Sequence, residues 1–383
     1  MNVTSVKRIH QSDWQKVGIP FYRARDIVAI SKGQKISEPI YISENKYKEF
    51  SEISGKVKIN DLLVTGVGTI GVPLLVQKTP LYFKDGNIIW FQNNNQFNGI
   101  FLYNAFLTRS IQNFIKTTTG VGTVPTYTII TGKETPISFP KPKEQDRVAT
   151  LLKTAENLIT LQQRKLELLK EIKKGLLQKM FADKSNFPIL RFEGFHAEWE
   201  QRKLGELYSY HNGKAHEQNQ RSSGKYELIN LNSISVDGTL KSSGRYINHA
   251  DEILRQNDLV MILSDIAHGT LLGRVAIIPQ DNKYVLNQRV ALLRPISKSE
   301  NSNFMAPLIN NNQRYFHKMG IGTSQLNISK STVIESLWQI PKIKEQSVIG
   351  NFLQNIDHII ALQHQRLSKL DEIKKSLLQQ MFI

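Results

Sequence analysis

The 383-residue chain carries 50 Lys and Arg against 33 Asp and Glu, a net charge of +17 and a pI near 9.7. That balance points to a polyanionic partner, nucleic acid before an anionic membrane surface. There is no cysteine, which excludes disulfides and thiolate metal sites and suits a cytoplasmic protein. No run approaches the roughly 18–20 apolar residues of a membrane span, and no basic amphipathic helix with exposed aromatics supports membrane binding.

In chain order, the opening "MNVTSVKRIHQSDW" has no apolar run after its charges and does not read as a signal peptide. Residues 60–65, "NDLLVT", read as a strand. They lead into Gly66, Gly68 and Gly71, a G-x-G-x-x-G match. A dinucleotide turn would need these glycines to open a helix, with an acidic ribose ligand about 20 residues on. Instead Val72, Pro73, Leu74, Leu75 and Val76 read as a second strand, and Asp85 beside Gly86 reads as a turn. The expectation is a Gly-rich hairpin or bulge where backbone passes close to something. Further short β-like runs follow in "GNIIWFQ", and after the first long helix in "YELINL", "NDLVMIL", "GRVAIIP" and "NQRVALLRP".

Residues 140–181 and 341–382 align without a gap at an offset of 201, and 20 of the 42 pairs are identical. The chain is therefore a tandem duplication. Each copy has apolar residues at seven-residue spacing, the pattern of a coiled coil. One seam is Leu152, Ile159 and Leu166, matched by Leu353, Ile360 and Leu367. The other is Ala155, Gln162, Leu169 and Leu176, matched by Ile356, Gln363, Leu370 and Leu377. Past residue 170 the seam is expected to drift onto Ile172 and Met180, and onto Ile373 and Met381. Gln162 and Gln363 either sit in the seam and fix register or point to water. Glu144 and Glu345, each followed by Gln145 or Gln346, sit in the first helical turn, where negative charge suits the dipole. About 38 residues make a rod of about 55–60 Å.

These landmarks divide the chain into a globular region 1–142, a helix 143–183, a second globular region 184–342 and a helix 343–383. The fold class expected is α+β: two domains of mixed β/α structure held apart by two long helices in an antiparallel coiled coil, with pseudo-two-fold internal duplication. Asn60-Asp61-Leu62 recurs as Asn257-Asp258-Leu259, and Gly120-Val121-Gly122-Thr123 as Gly320-Ile321-Gly322-Thr323. Elsewhere the globular regions differ strongly. The counterpart of the glycine loop, "ILSDIAHGTLLGRV", shares only its last glycine.

Two divergent domains, each followed by a near-copy of one helix beginning near P-x-x-x-E-Q, resemble the specificity subunit of Type I restriction–modification enzymes. So do "FPILRFEGFHAEWEQRKLGEL" (187–207), "KKGLLQKMF" and "KKSLLQQMF". The resemblance covers essentially the whole chain. It implies that each domain reads one half of a split double-stranded DNA site, while the helix pair sets the gap. It further implies that the helices dock two modification subunits, that two motor/nuclease subunits join for restriction, and that no membrane is involved. The chain itself would bind no cofactor; S-adenosylmethionine, ATP and magnesium belong to partners.

Loop side chains would read bases while Lys and Arg hold phosphates. In the first domain the candidates are Thr65, Gly66, Gly68 and Thr69, with Lys116, Thr117, Thr118 and Thr123. In the second they are Ser264, His268, Thr270, Arg274, Gln288, Arg289, Thr323, Ser324 and Gln325. Gln288 and Arg289 stand out because glutamine grips adenine, and arginine guanine, with two bonds each. The second domain's entry segment, 198–218, has little counterpart in the first, which is about 20–25 residues shorter there. That leaves a silent or truncated specificity copy as one alternative reading.

Catalysis has little support. A P-loop is absent, as are the D-P-P-Y and N-P-P-[FY] tetrads of methyltransferases. His358 and His364 are six apart on a helix and share no metal-binding face, and His249 and Asp251 lack further ligands. A coiled-coil scaffold without DNA recognition is the other alternative; it leaves the charge and the divergent domains unexplained.

Overall fold

The computed structural model describes residues 1–119, 125–182, 186–266, 269–297 and 300–382. It divides into two units, Met1–Gln163 with Gln365–Ile383, and Arg164–His364. Both long helices, Pro142–Met180 and Ile343–Met381, contribute a part to each unit.

In the first unit the main sheet is antiparallel, in the order Asn2–Thr4, Ile88–Gln92, Leu62–Thr65, Pro73–Leu75. The central strands are apolar on both faces and buried on both, so neither alternates with polar residues. A smaller sheet pairs Ile19–Tyr22 antiparallel with Ile40–Ile42 and parallel with Tyr82–Phe83.

The second unit repeats this plan. Its main sheet runs Tyr208–Asn212, Val290–Pro295, Leu259–Ile262, Val275–Ile277. Its smaller sheet pairs Tyr226–Ile229 antiparallel with Tyr246–Ile247 and parallel with Tyr284–Leu286. The domains have diverged in sequence, but strand order and sense are the same.

The recurrent Asn-Asp-Leu has a structural cause. Asn60 and Asn257 hold left-handed turns, with φ of 72° and 69°, a conformation asparagine tolerates. Buried Asp61 accepts from Trp90 Nε1 at 2.9 Å and from the Asn93 and Lys58 amides. Asp258 accepts two bonds from the Arg294 guanidinium, at 2.9 and 2.7 Å, and one from the Arg255 amide. Each aspartate locks the entry to a central strand.

Each unit also holds an antiparallel helix pair. In the first, Lys374 Nζ lies 2.6 Å from Glu156 Oε1, and Leu377, Leu378 and Met381 pack around Val148, Ala149 and Leu152. In the second, Lys173 pairs with Asp357, and Leu176 and Leu177 join a core containing Ile349 and Leu353. At the 201-residue offset Glu156 corresponds to Asp357 and Lys173 to Lys374. The two ion pairs are thus one contact made twice, as an antiparallel pairing of duplicated helices requires.

Seam positions Leu152, Leu166 and Leu353 are buried, and Ile159, Leu169, Leu176, Ile360, Leu367, Leu370 and Leu377 are half-buried. Gln363 is buried and Gln162 half-buried. The expected drift onto Ile172 and Ile373 is wrong: they are 55% and 53% exposed. Leu177 and Leu378 take that place, because an undistorted helix at 3.6 residues per turn moves its apolar stripe by about one position over that length.

The E-Q pair at each helix start divides its work. Gln145 accepts from the Asn98 amide at 3.0 Å and donates to the Pro140 carbonyl at 2.9 Å. Gln346 does the same with Asn301 (3.0 Å) and Pro341 (2.9 Å). Asn98 and Asn301 are the N-caps of Gly99–Phe106 and Ser302–Asn311, so each glutamine ties a long helix to the cap of a domain helix. The glutamates differ. Glu345 is 3% exposed and takes a two-pronged bond from Arg191, at 2.7 and 2.8 Å. Glu144 is exposed, and no cation among the described residues pairs with it.

Candidate nucleic-acid interface

In the second unit three segments meet at one end of the central strands. The Leu263 amide donates to the Arg289 carbonyl at 3.0 Å, and the Ile328 amide to the Leu263 carbonyl at 2.9 Å. Ser264–Ile266 then pairs antiparallel with Gln325–Asn327. Residues 264–266, 288–289 and 321–325 are thereby gathered on one rim. In the first unit the Gly66 amide donates to the Asn87 carbonyl at 2.8 Å, and the Tyr127 amide to the Gly66 carbonyl at 2.8 Å. This joins the glycine loop, the 85–87 turn and the segment entering Tyr127 at the same end of the same sheet.

The glycine loop connects antiparallel strands and opens no helix, as its flanks predict. Gly68 and Gly71 have φ of 71° and 77°. A side chain on Gly66 would lie 2.7 Å from the Tyr127 carbonyl oxygen. Asp85, at the spacing of a ribose ligand, pairs with Arg8 at 2.8 Å.

Several candidates are spent on holding their loops. Thr65 is fully buried; its hydroxyl donates to the Thr69 carbonyl at 2.5 Å and accepts from the Val72 amide at 2.9 Å. Gly66 is buried too. Ser264 is buried and accepts from Gln325 Nε2 at 2.6 Å, so this pair ties strand to strand instead of facing outward. Arg274 is half-buried and donates to the Asn310 and Thr270 carbonyls, at 3.0 and 3.3 Å. Burial pulls its guanidinium below the ordinary arginine value, with Asp237 acting in the other direction. Thr117 and Thr118 return their hydroxyls to helix carbonyls.

Exposed candidates are Gly68, Thr69, Lys116, Thr117 and Thr118 in the first unit. In the second they are Thr270, Gln288, Arg289, Thr323 and Ser324. Thr123 and His268 lie outside the described residues. Arg289 has φ of 65°, a left-handed conformation unusual for arginine. Such strain persists where surroundings impose it, often at binding surfaces.

Two features escape the sequence reading. The Gly86-Asn87 turn occupies the place that Gln288-Arg289 holds in the other unit, and only the strand register reveals the match. An open groove of about 770 Å³ in the second unit is lined by Lys170, Lys173, Lys174 and Arg274 with His358 and His364. Among the described residues there is no cluster of three or more metal-ligating side chains, and no helix is long and apolar enough to cross a membrane.

Comparison with known proteins agrees with this architecture. Residues 3–171 and 196–372 match a family model described as Type I restriction modification DNA specificity domain. The chain is 21% identical to the Type I restriction enzyme MjaVIII specificity subunit of Methanocaldococcus jannaschii, over 96% of this chain and 91% of that one. Its fold is similar to that of the Type I restriction–modification system S subunit from M. genitalium. That match has a TM-score of 0.61 at 15% identity and covers 100% and 93% of the two chains. The HsdS subunit from Thermoanaerobacter tengcongensis matches with a TM-score of 0.50 at 14% identity, over 95% and 90%.

Proposed function

The chain belongs to the Type I restriction–modification DNA specificity family, and from that premise we propose that it selects the DNA target and performs no catalysis itself. Regions 1–142 and 184–342 each read one half of a two-part duplex site. The helices 143–183 and 343–383 set the unread gap and dock two modification subunits, which carry S-adenosylmethionine and methylate adenine. Two ATP-dependent, magnesium-requiring restriction subunits complete the assembly.

The observation that carries this reading is the twin rim. One backbone scheme gathers three segments at the same end of the sheet in both units, yet the exposed residues offered differ: Gly68 and Thr69 in one, Thr270, Gln288 and Arg289 in the other. A shared frame with unlike tips suits two readers of two unlike half-sites. The +17 charge supplies affinity common to all sequences.

Titrating duplex DNA against the purified chain with its modification subunits, at several salt concentrations, tests this. The logarithm of the binding constant should fall linearly with the logarithm of salt, with a slope near −0.9 per phosphate neutralised. A scaffold without DNA recognition gives no such slope. Within this reading, Arg289→Ala and Gln288→Ala should each weaken the cognate duplex by roughly 5- to 150-fold, the worth of a two-bond base contact at about 1–3 kcal/mol. The loss should relax preference in one half-site only, as read by competition with single-base variants.

A further inference from the structure

The open groove of about 770 Å³ in the second unit has a counterpart in the first. There a smaller groove, about 280 Å³, is lined by Leu75, Tyr103, Glu156 and Asn157 among others. Strand register matches Leu75 to Ile277. The helix caps Asn98 and Asn301 match Tyr103 to Ala306. The repeat offset matches Glu156 to Asp357 and Asn157 to His358. Ile277, Ala306, Asp357 and His358 all line the larger groove. One place in the fold therefore occurs twice, with different chemistry.

Four positions carry the difference. The second groove has Lys170, Arg274, His358 and His364. At the equivalent positions the first unit has Asp371, Val72, Asn157 and Gln163. On the walls of the second groove four cations, with Lys173 and Lys174, stand against two carboxylates, Asp237 and Asp357. Asp357 pairs with Lys173, and Asp237 accepts from Ser235 and from the Thr239 amide. Lys170 and Lys174 are exposed, and among the described residues neither has an acidic partner. The Arg274 guanidinium donates to two carbonyls and to no carboxylate, and its Nε is buried without a partner. The groove begins at the rim. The Ile262 amide donates to the Arg274 carbonyl at 2.9 Å, one residue before the Leu263 amide that bonds to Arg289.

We infer that this groove holds phosphates of the DNA backbone next to the half-site of the second unit, an inference that rests on the DNA-reading proposal. Lysine meets a phosphate as a point charge, and an imidazole N–H donates to its oxygens. A free small anion is best held by a site that encloses it. An open groove walled by long exposed cations instead suits a polyanion lying along it. Such contacts fix the duplex in place and read no sequence. They belong to the second unit alone, because the first unit's groove lacks the cations.

The test repeats the salt titration with the full chain and its modification subunits on duplexes of unrelated sequence. It compares Lys170→Gln/Lys174→Gln with Lys375→Gln, which alters the first unit's equivalent of Lys174. The double variant should weaken every duplex alike, by roughly 10- to 60-fold near about 0.1 M salt, and flatten the salt slope by about 1.8, or about 0.9 per lysine. Lys375→Gln should leave the slope unchanged, and Lys170→Arg/Lys174→Arg should restore it. An unchanged slope in the double variant would overturn this inference alone, provided the unaltered complex has a slope. No slope in the unaltered complex would overturn the DNA-reading proposal with it. Two further arms separate other sources of negative charge. Inorganic phosphate titrated calorimetrically into the chain at constant ionic strength should give no saturable heat; saturable heat that the double variant loses would make this a free-anion site. Assembly with the modification subunits in the absence of DNA should be equal for both chains; weaker assembly of the double variant would make the groove a seat for an acidic protein segment. Either result would overturn the inference.

Discussion

Arg191→Ala is expected to destabilise the second unit by roughly 3 kcal/mol. That is the low end of the cost of stranding one member of a buried ion pair, because the Arg191 side chain keeps 13% of its exposure. The substitution leaves Glu345, with 4% side-chain exposure, inside the helix start without its two charge-assisted bonds. It also frees the Ala197 carbonyl, to which Arg191 donates at 2.6 Å. Glu345→Gln should cost less, since a neutral amide is cheaper to leave there. Glu144→Gln at the equivalent exposed site should change stability by no more than about 0.5 kcal/mol. Hydrogen exchange resolved by segment checks all three: faster exchange in 186–203 and at the start of Ile343–Met381 for the Arg191 variant, and little change anywhere for the Glu144 variant.

The second large effect lies in the rim. Gly273 has φ of 73°, and a Cβ there would fall 2.3–2.6 Å from atoms of Phe316, itself fully buried. Gly273→Ala therefore combines a left-handed alanine, at about 1–2 kcal/mol, with overpacking of about 1–3 kcal/mol. Gly68 has nearly the same φ, 71°, but nothing within 4 Å of a Cβ. Gly68→Ala should cost only the first term. Gly71, at φ 77°, faces Ile115 side-chain atoms at 3.2 Å and should fall between the two. Thermal melts should show Gly273→Ala the most destabilised, Gly71→Ala next and Gly68→Ala the least. Gly273→Ala should also disturb the start of the Ser264–Ile266 strand, because the Gly273 amide bonds to the Ile262 carbonyl at 2.8 Å, two residues before it.

The helices were legible because seven-residue spacing is a long signal and the duplication states it twice. The strands were legible as apolar runs bounded by turn residues, and the glycine loop failed as a nucleotide turn on its flanking residues alone. The contents of the rim were less legible for a physical reason. Thr65 and Thr69 are the same residue type in one loop, yet one hydroxyl is sealed inside it and the other side chain faces out. Ser264 and Gln325 are 61 residues apart and satisfy each other. Composition gives the inventory of polar groups, whereas strand register decides which of them are consumed. Glu144 and Glu345 make the same point: both suit a helix dipole, and only the folding back of 186–203 makes one of them a buried anchor.

The most direct test of the account is a genome-wide map of adenine methylation in the source organism, comparing the intact gene, its deletion, and the Gln288→Ala/Arg289→Ala double variant. The account predicts a motif of two short halves around a fixed gap that vanishes on deletion. In the double variant it predicts a motif degenerate in one half with the other half and the gap unchanged. A motif that survives deletion, or a double variant that alters both halves alike, would contradict the assignment of one half-site to each domain.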